Sequence, residues 1–341
     1  MTQPSLRPPT MADVARRAGV SHQTVSRVLG DHPNVRDGTR AKVLNAIGEL
    51  GYRPNSSARA LVTRRTRTLG VVASNTTLYG PGSTLFALEE AALAKGYLVS
   101  TVSLRKLTVQ TLSEALDRLI EGGVDGLLTI VPQLSATAAL TELPHPFPVV
   151  TVGSGIAAEI PCVTVDQHRG AHMATGHLLA AGHRTVWHVA GPEDWQDAQG
   201  RTAGWRATLE AAGIEPPEPL TGDWSPRSGY LAGQELVGRA GRELTAVFVA
   251  NDQMALGVLR ALREAGLGTP QDVAVVGFDD IPESEFFAPP LTTIRQDFTE
   301  VGRRSIALLL DRVEGRDSSG TPRIVIEPQL IVRTSSSPPS P

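Results

Sequence analysis

The sequence predicts an α/β protein in which a small helical N-terminal domain precedes two lobes, each built on a doubly wound parallel sheet. The chain has 341 residues, about two to three times the usual length of one domain. Its first 67 residues carry twelve basic and four acidic side chains, a net charge of +8, whereas the remainder carries 20 basic and 31 acidic side chains, a net charge of −11. From residue 68 onward, short apolar runs alternate with helical stretches, which is typical of parallel sheets covered on both faces.

The basic segment has the pattern of a compact helical domain. Thr10 is placed to cap a helix over Met11–Ala18, Gly19 permits a tight turn, and Ser21 caps a second helix over His22–Leu29. Two short helices joined by such a turn form a helix-turn-helix unit. A third helix over about residues 37–50 is expected to close the core with an apolar stripe of Val43, Leu44, Ile47 and Leu50.

The charge of this domain points to a polyanionic partner, and the second helix of a helix-turn-helix unit lies in the DNA major groove. Arginine can recognise guanine and glutamine can recognise adenine, while hydroxyl groups suit phosphate oxygens. A solvated basic tail and a protein-binding three-helix domain are the alternatives, and the capped helices and polar second helix argue against them. The residues of this unit that we expect at DNA are Ser21, His22, Gln23, Thr24, Ser26 and Arg27.

The apolar runs of the larger part fall into two similar sets, beginning at Leu69 and Thr185. Ligands of open parallel sheets bind beyond the carboxyl ends of the strands, so two facing lobes can share one cleft. Planar polar groups beside aromatic rings are the chemistry that recognises sugars. The side chains expected in the cleft follow the predicted strands: Leu78, Trp195, Asp197, Arg201, Trp224, Asn251, Gln253, Asp279 and Phe298.

Other chemistries have weaker support in the sequence. His168 and His172 share one helical face, and His177 and His183 follow, but no cysteine or carboxylate lies at ligand spacing, so we expect no metal. The acidic residues of 279–285 could form a glycosidase pair, although nothing else indicates hydrolysis. Phosphate-binding loops and nucleophile motifs are absent from the sequence, so we expect neither a cofactor nor an enzyme.

Several motifs resemble the lac repressor/galactose repressor (LacI/GalR) family of bacterial transcription regulators. In the basic segment these are Asp13-Val-Ala, Ala18-Gly-Val-Ser, Gln23-Thr-Val-Ser-Arg and Tyr52-Arg-Pro-Asn. In the larger part they are Ala203-Gly-Trp, Gly222-Asp-Trp-Ser, Val249–Gly257 and Pro289–Ile294. The resemblance covers nearly the whole chain.

The resemblance implies lobes of the periplasmic sugar-binding type and a sugar-responsive repressor that binds a near-palindromic operator as a homodimer. It implies that Leu78, Arg201, Trp224, Asn251, Asp279 and Phe298 hold the sugar. It also implies a hinge helix that forms on DNA and inserts Leu61 into the minor groove. The hinge residues expected at DNA are Asn55, Ala58, Arg59 and Leu61.

The chain departs from the family pattern at the rim of the expected sugar site. Gly153 stands where an aspartate is expected, and Trp195 and Asp197 replace two serines. A galactoside-like effector and a longer oligosaccharide therefore both stay open. A solute-binding protein of a sugar transporter is the alternative function, which the basic helix-turn-helix segment argues against.

These observations give a predicted organisation. The expected parts are a DNA-binding domain at 1–54, a hinge at 55–67, a core at 68–334 and a disordered tail at 335–341. Within the core, lobe one takes about 68–165 and 298–323, and lobe two takes about 166–297 and 324–334. The lack of a long apolar run or a signal-like N-terminus predicts a cytoplasmic protein. The Ser/Pro-rich C-terminus, without the tetramerisation helix that one member of the family carries, predicts a dimer.

Overall fold

The structure, a computed structural model, describes residues 7, 9–30, 32–53, 65–105, 108–131, 147–153, 160–316, 320 and 322–336. The chain divides into two units, Met1–Thr66 and Arg67–Pro341, and each has its own apolar core. Across the residues described, each helix is too short or too polar to cross a membrane. The predicted hinge residues Asn55, Ala58, Arg59 and Leu61 lie outside the described part of the chain.

The first helix of the N-terminal unit, α1 (Met11–Ala18), has a reciprocal cap at its start. The Thr10 side chain accepts a hydrogen bond from the backbone N–H of Asp13, and the Asp13 carboxylate accepts one of 2.9 Å from the backbone N–H of Thr10. Gly19 ends the helix at a φ of 66°, in the left-handed region that glycine adopts without steric cost. These features confirm the predicted bounds of the helix.

The second and third helices complete this unit. Helix α2 (His22–Leu29) begins after Ser21, whose hydroxyl accepts a hydrogen bond of 3.2 Å from the backbone N–H of Thr24. Helix α3 (Asp37–Leu50) has the predicted bounds, but the prediction that Leu44 is in the core is wrong, because its side chain is 52% exposed. The buried residues of α3 are instead Val43 and Ala46, which lie three positions apart and so share one face of the helix. The buried apolar residues of the unit are Val14, Ala15, Val25, Val28, Val43, Ala46 and Tyr52.

The larger unit contains the predicted succession of strands and helices. Its described strands are β1 (Thr68–Ser74), β2 (Leu98–Leu104), β3 (Gly126–Ile130), β4 (Val149–Val152), β5 (Cys162–Val165), β6 (Trp187–Ala190), β7 (Leu220–Thr221), β8 (Ala246–Val249), β9 (Ala274–Val276), β10 (Thr293–Arg295), β11 (Arg323–Ile326) and β12 (Gln329–Ile331). Its described helices are α4 (Tyr79–Ala94), α5 (Val109–Glu121), α6 (Gln167–Ala180), α7 (Gln196–Ala211), α8 (Pro226–Ala240), α9 (Asp252–Glu264) and α10 (Phe298–Val313). Short 3-10 helices lie at Gly241–Glu243 and Pro282–Phe286.

Two parallel sheets carry the two lobes. In lobe one the described strands follow the order β11-β5-β4-β3-β1-β2, and in lobe two the order β7-β6-β8-β9. Helices α4 and α10 pack on one face of the first sheet and α5 on the other. Helices α8 and α9 cover one face of the second sheet, and α6 and α7 cover the other. Most strands are buried, as predicted, but β2 is a half-exposed edge strand whose Leu98 is 66% exposed.

The chain crosses between the lobes at three places, after β5, after β10 and after β11. Strand β11 pairs in parallel with β5 along its whole length, so the last crossing follows Ile326 rather than residue 323 as predicted. Strand β12 then pairs antiparallel with β10.

The predicted start of the disordered tail at residue 335 is wrong. Ser335 and Ser336 are buried, and the Ser335 hydroxyl donates a hydrogen bond of 2.6 Å to the carbonyl of Val275 in β9. The Ser335 carbonyl also accepts from the Val275 backbone N–H. These bonds attach the chain end to the edge of the second sheet as far as Ser336.

Candidate functional site

A cavity opens between the two lobes of the larger unit, at the carboxyl ends of their strands. This is where ligands of open parallel sheets bind. Of the nine side chains predicted for this cleft, eight line the cavity: Leu78, Trp195, Asp197, Arg201, Trp224, Asn251, Asp279 and Phe298. They come from both lobes, so a ligand bound here would contact lobe one and lobe two together.

Arg201 and Asp279 form a buried pair of opposite charges in the floor of the cavity. A guanidinium nitrogen of Arg201 lies 3.4 Å from Asp279 Oδ1, and the two side chains are 5% and 7% exposed. Burial raises the pKa of Asp279 to about 6, although the Arg201 cation and a hydrogen bond from Gln296 act in the opposite direction. Both described partners of this carboxylate use Oδ1, which leaves Oδ2 as an acceptor for a ligand.

Aromatic rings surround this charged pair. The Arg201 guanidinium lies 3.8 Å from the ring centre of Phe278 and 5.5 Å from that of Trp224. Trp195 meets Trp224 edge to face at 5.4 Å. Gly191 permits this arrangement, because a Cβ atom there would lie 2.2 Å from the Trp224 indole. The site thus combines hydrogen-bonding groups with flat apolar surfaces.

Asn251 has a structural role as well as a position in the cavity. Its side-chain oxygen accepts a hydrogen bond of 2.9 Å from the backbone N–H of Met254 and so caps α9. Its Nδ2 donates to the carbonyl of Trp224 at 3.2 Å and to the side chain of Gln253 at 2.8 Å. The structure does not bring Gln253 to the cavity wall, because this side chain turns back along α9 toward Asn251.

Two glutamines also line the cavity, and one of them, Gln167, was not predicted from the sequence. Gln167 and Gln296 are 5% and 7% exposed, line the cavity and are hydrogen-bonded to each other at 2.9 Å. Gln167 follows directly after β5, so the rule that ligands lie beyond strand ends could have found it. The remaining lining residues are Tyr79, Gly80, Pro81, Thr84, Ile130, Val152, Gly153, Thr164, Val165 and Val301.

Three of the four histidines considered for a metal have separate hydroxyl partners. Ring nitrogens of His172, His177 and His183 lie 2.9, 2.8 and 3.1 Å from the hydroxyls of Thr208, Ser336 and Thr245, in that order. Burial lowers the pKa of His177 and His183, which favours their neutral forms. Each of these three histidines is therefore held by a hydrogen bond to a different hydroxyl group.

The N-terminal unit presents the predicted DNA-contact residues of α2 at its surface. Ser21, His22, Gln23, Ser26 and Arg27 are exposed, and Thr24 is half-buried. The hydroxyls of Ser21 and Thr24 lie 2.9 Å apart, so these two side chains also stabilise the start of the helix. The exposed polar face lies opposite Val25 and Val28, which are buried in the core.

Comparisons with known proteins match both units. Residues 10–55 match the lacI family of bacterial regulatory proteins, and residues 175–336 match a periplasmic binding protein-like domain. The lactose operon repressor of Escherichia coli (strain K12) is 35% identical over 320 residues, which cover 92% of this chain and 88% of that protein.

Solved structures agree with this assignment over nearly the whole chain. A lac repressor dimer bound to operator and the anti-inducer ONPF has a TM-score of 0.88 at 33% identity, covering 97% of this chain and 99% of that chain. A complex of the transcriptional regulator CelR with cellobiose has a TM-score of 0.71 at 35% identity, covering 96% and 99%. The resemblance predicted from the motifs is thereby confirmed: this chain belongs to the lacI family of bacterial regulatory proteins.

Proposed function

We propose that this protein is a homodimeric transcriptional repressor that binds a near-palindromic DNA operator through α2 and releases it when a carbohydrate binds between the lobes. The observation that carries the proposal is the buried Arg201–Asp279 pair beside Trp195 and Trp224 in a cavity shared by both lobes. A carboxylate and a guanidinium can each bind two neighbouring hydroxyls, and indole rings pack on the apolar face of a sugar.

The ligands of two similar structures support this class of ligand. One similar structure is a complex of a transcriptional regulator with cellobiose, and another is a lac repressor with the anti-inducer ONPF. Gly153 lines the cavity with a φ of 123°, and a Cβ atom built there would meet no atom of the described residues within 4 Å. The lack of a side chain at Gly153 and the presence of the Trp195 ring favour an oligosaccharide over a single galactoside ring.

Pairing of two chains is supported by one of the similar structures, which is a lac repressor dimer bound to operator. A dimer would present two copies of α2 to the two halves of a near-palindromic operator.

One combined screen tests the proposed function. Purified protein is first used to select duplexes from a randomised pool, and the selected duplex is then titrated in the presence of lactose, cellobiose or cellotriose. We expect a near-palindromic duplex to be selected and at least one sugar to lower its affinity about 5- to 150-fold, the usual range of allosteric coupling. Binding without sequence preference, or an affinity that no sugar changes, would contradict the proposal.

A further inference from the structure

We propose that Gln167 is a positioning residue, which holds the Arg201 guanidinium in its ligand-binding orientation and connects the cavity to two of the crossings between the lobes. This inference rests on the proposed function, because it assigns a residue to the same carbohydrate site. The polar network around Arg201 carries the argument.

Four buried side chains form a closed ring in the floor of the cavity. Arg201 Nε donates to Gln167 Oε1 at 2.8 Å, Gln167 Nε2 donates to Gln296 Oε1 at 2.9 Å, and Gln296 Nε2 donates to Asp279 Oδ1 at 2.7 Å. The Arg201–Asp279 ion pair closes the ring at 3.4 Å. All four side chains are at least nine-tenths buried, so the loss of a partner costs more free energy here than at the surface.

The chemistry of the ring sets the orientation of both amides. Arg201 can only donate hydrogen bonds, and an ionised Asp279 can only accept them. Gln167 must therefore turn its oxygen to Arg201 and its nitrogen to Gln296, which in turn donates to Asp279. Reversing either amide would bring two donors or two acceptors together, so the ring has one low-energy arrangement.

The ring joins parts of the chain that lie at the boundary between the lobes. Gln167 is the first residue of α6, directly after the first crossing, and Gln296 lies in the second crossing between β10 and α10. Arg201 is on α7 of lobe two and also donates to the carbonyl of Ala250. A ligand that forms hydrogen bonds to Arg201 or Asp279 therefore changes the hydrogen bonds that these residues make to Gln167 and Gln296, one in each crossing.

Gln196 provides a matched control inside the same lobe. It is the first residue of α7, as Gln167 is the first residue of α6, and the two side chains are 7% and 5% exposed. Among the described residues, however, the Gln196 amide has no hydrogen-bond partner. The two glutamines thus match in residue type, helix position and burial but differ in their contact with the ring.

The test compares Gln167→Met, Gln167→Glu and Gln196→Met with the wild-type dimer by calorimetric titration with cellobiose and, separately, lactose. Gln167→Met should weaken sugar binding about tenfold, equivalent to about 1.4 kcal/mol, because the Nε–H group of Arg201 loses its acceptor. Gln167→Glu keeps an acceptor for Arg201 but places a second acceptor against Gln296 Oε1, so its sugar affinity should lie between those of Gln167→Met and the wild type. Gln196→Met should leave sugar affinity unchanged.

Unchanged sugar affinity in Gln167→Met, or an equal loss in Gln196→Met, would overturn the inference. Failure of the wild-type protein to bind either sugar would instead count against the proposed function. For that case, urea unfolding of Gln167→Met, Gln296→Met and the double variant gives a reading without ligand. If the double variant loses less stability than the sum of the losses in the two single variants, the ring is supported. If the losses are strictly additive, the ring is overturned.

Discussion

At the scale of single residues, the cavity contains buried charges and rare backbone conformations, both of which are energetically unfavourable. Such features are common where a protein binds a ligand. Asp279 and Arg201 are charged and buried, and burial of a charge is unfavourable unless it is paired. Asp279 and Trp224 also have positive φ values, 107° and 73°, which are rare for residues with side chains. Propensity rules cannot predict such backbone, although the rule for strand ends did place both residues at the cavity.

The raised pKa of Asp279 makes sugar affinity and folding stability depend on pH in opposite directions. An ionised Asp279 accepts hydrogen bonds from sugar hydroxyls, so sugar affinity should rise about tenfold from pH 5 to pH 7 as the group with a pKa of about 6 ionises. Because folding raises this pKa above 3.8, the stabilising contribution of the group is present below that value and is lost as the pH rises through about 6. Titration calorimetry across this range measures the first effect, and Asp279→Asn should show a flat profile. An equally steep profile in that variant would show that another group titrates.

Arg27 gives a prediction for the DNA-binding unit. It is exposed on α2, and a bidentate contact from arginine to guanine contributes about 1–3 kcal/mol against the wrong base. Arg27→Ala should therefore lose discrimination at one operator position while still binding DNA. Measurement of affinities for a set of single-base operator variants tests this. An equal loss for all sequences would identify Arg27 as a phosphate contact.

At the scale of elements, the sequence predicts helices and strands well where the interactions that form them join residues close together in the chain. The first two helices begin directly after Thr10 and Ser21, which can be recognised in the sequence as capping residues, and the predicted bounds of both helices are correct. The edge position of β2 and the attachment of Ser335 to β9 depend on distant pairing, and periodicity carries no information about it. The prediction that Gln253 lines the cavity was wrong for a different, local reason: its Oε1 accepts a hydrogen bond from Asn251, which holds the side chain along the helix.

Close contact between α6 and α7 positions the Gln167–Arg201 pair and depends on Gly204. A Cβ atom at Gly204 would lie 2.3 Å from the carbonyl oxygen of His168. Gly204→Ala should therefore destabilise the core by about 1–3 kcal/mol, as overpacking does, and weaken sugar binding. Gly176→Ala on α6 is the matched control: a Cβ there meets nothing within 4 Å, and the change should be neutral or stabilise by up to about 1 kcal/mol. Urea unfolding measures both, and equal effects would contradict a tight interface.

At the scale of the whole molecule, charge and strand order predicted the architecture better than the detail of the site. The contrast between a basic N-terminal segment and an acidic remainder matches two compact units, and the two sets of apolar runs match two parallel sheets. The hydrogen-bonded ring was beyond prediction, because Gln167 and Gln296 are 129 residues apart in sequence and meet only where the lobes cross. Contacts of this kind follow from the fold and not from local pattern.

The central claim is that operator and sugar stabilise different states of one protein. Thermodynamic linkage requires that a sugar which weakens operator binding is itself bound more weakly by the operator complex, and by the same factor. The most direct measurement is therefore the dissociation constant of cellobiose for the unbound protein and for the protein saturated with its selected operator. The account predicts that binding to the operator complex is at least about fivefold weaker. Equal dissociation constants in the two states would contradict it.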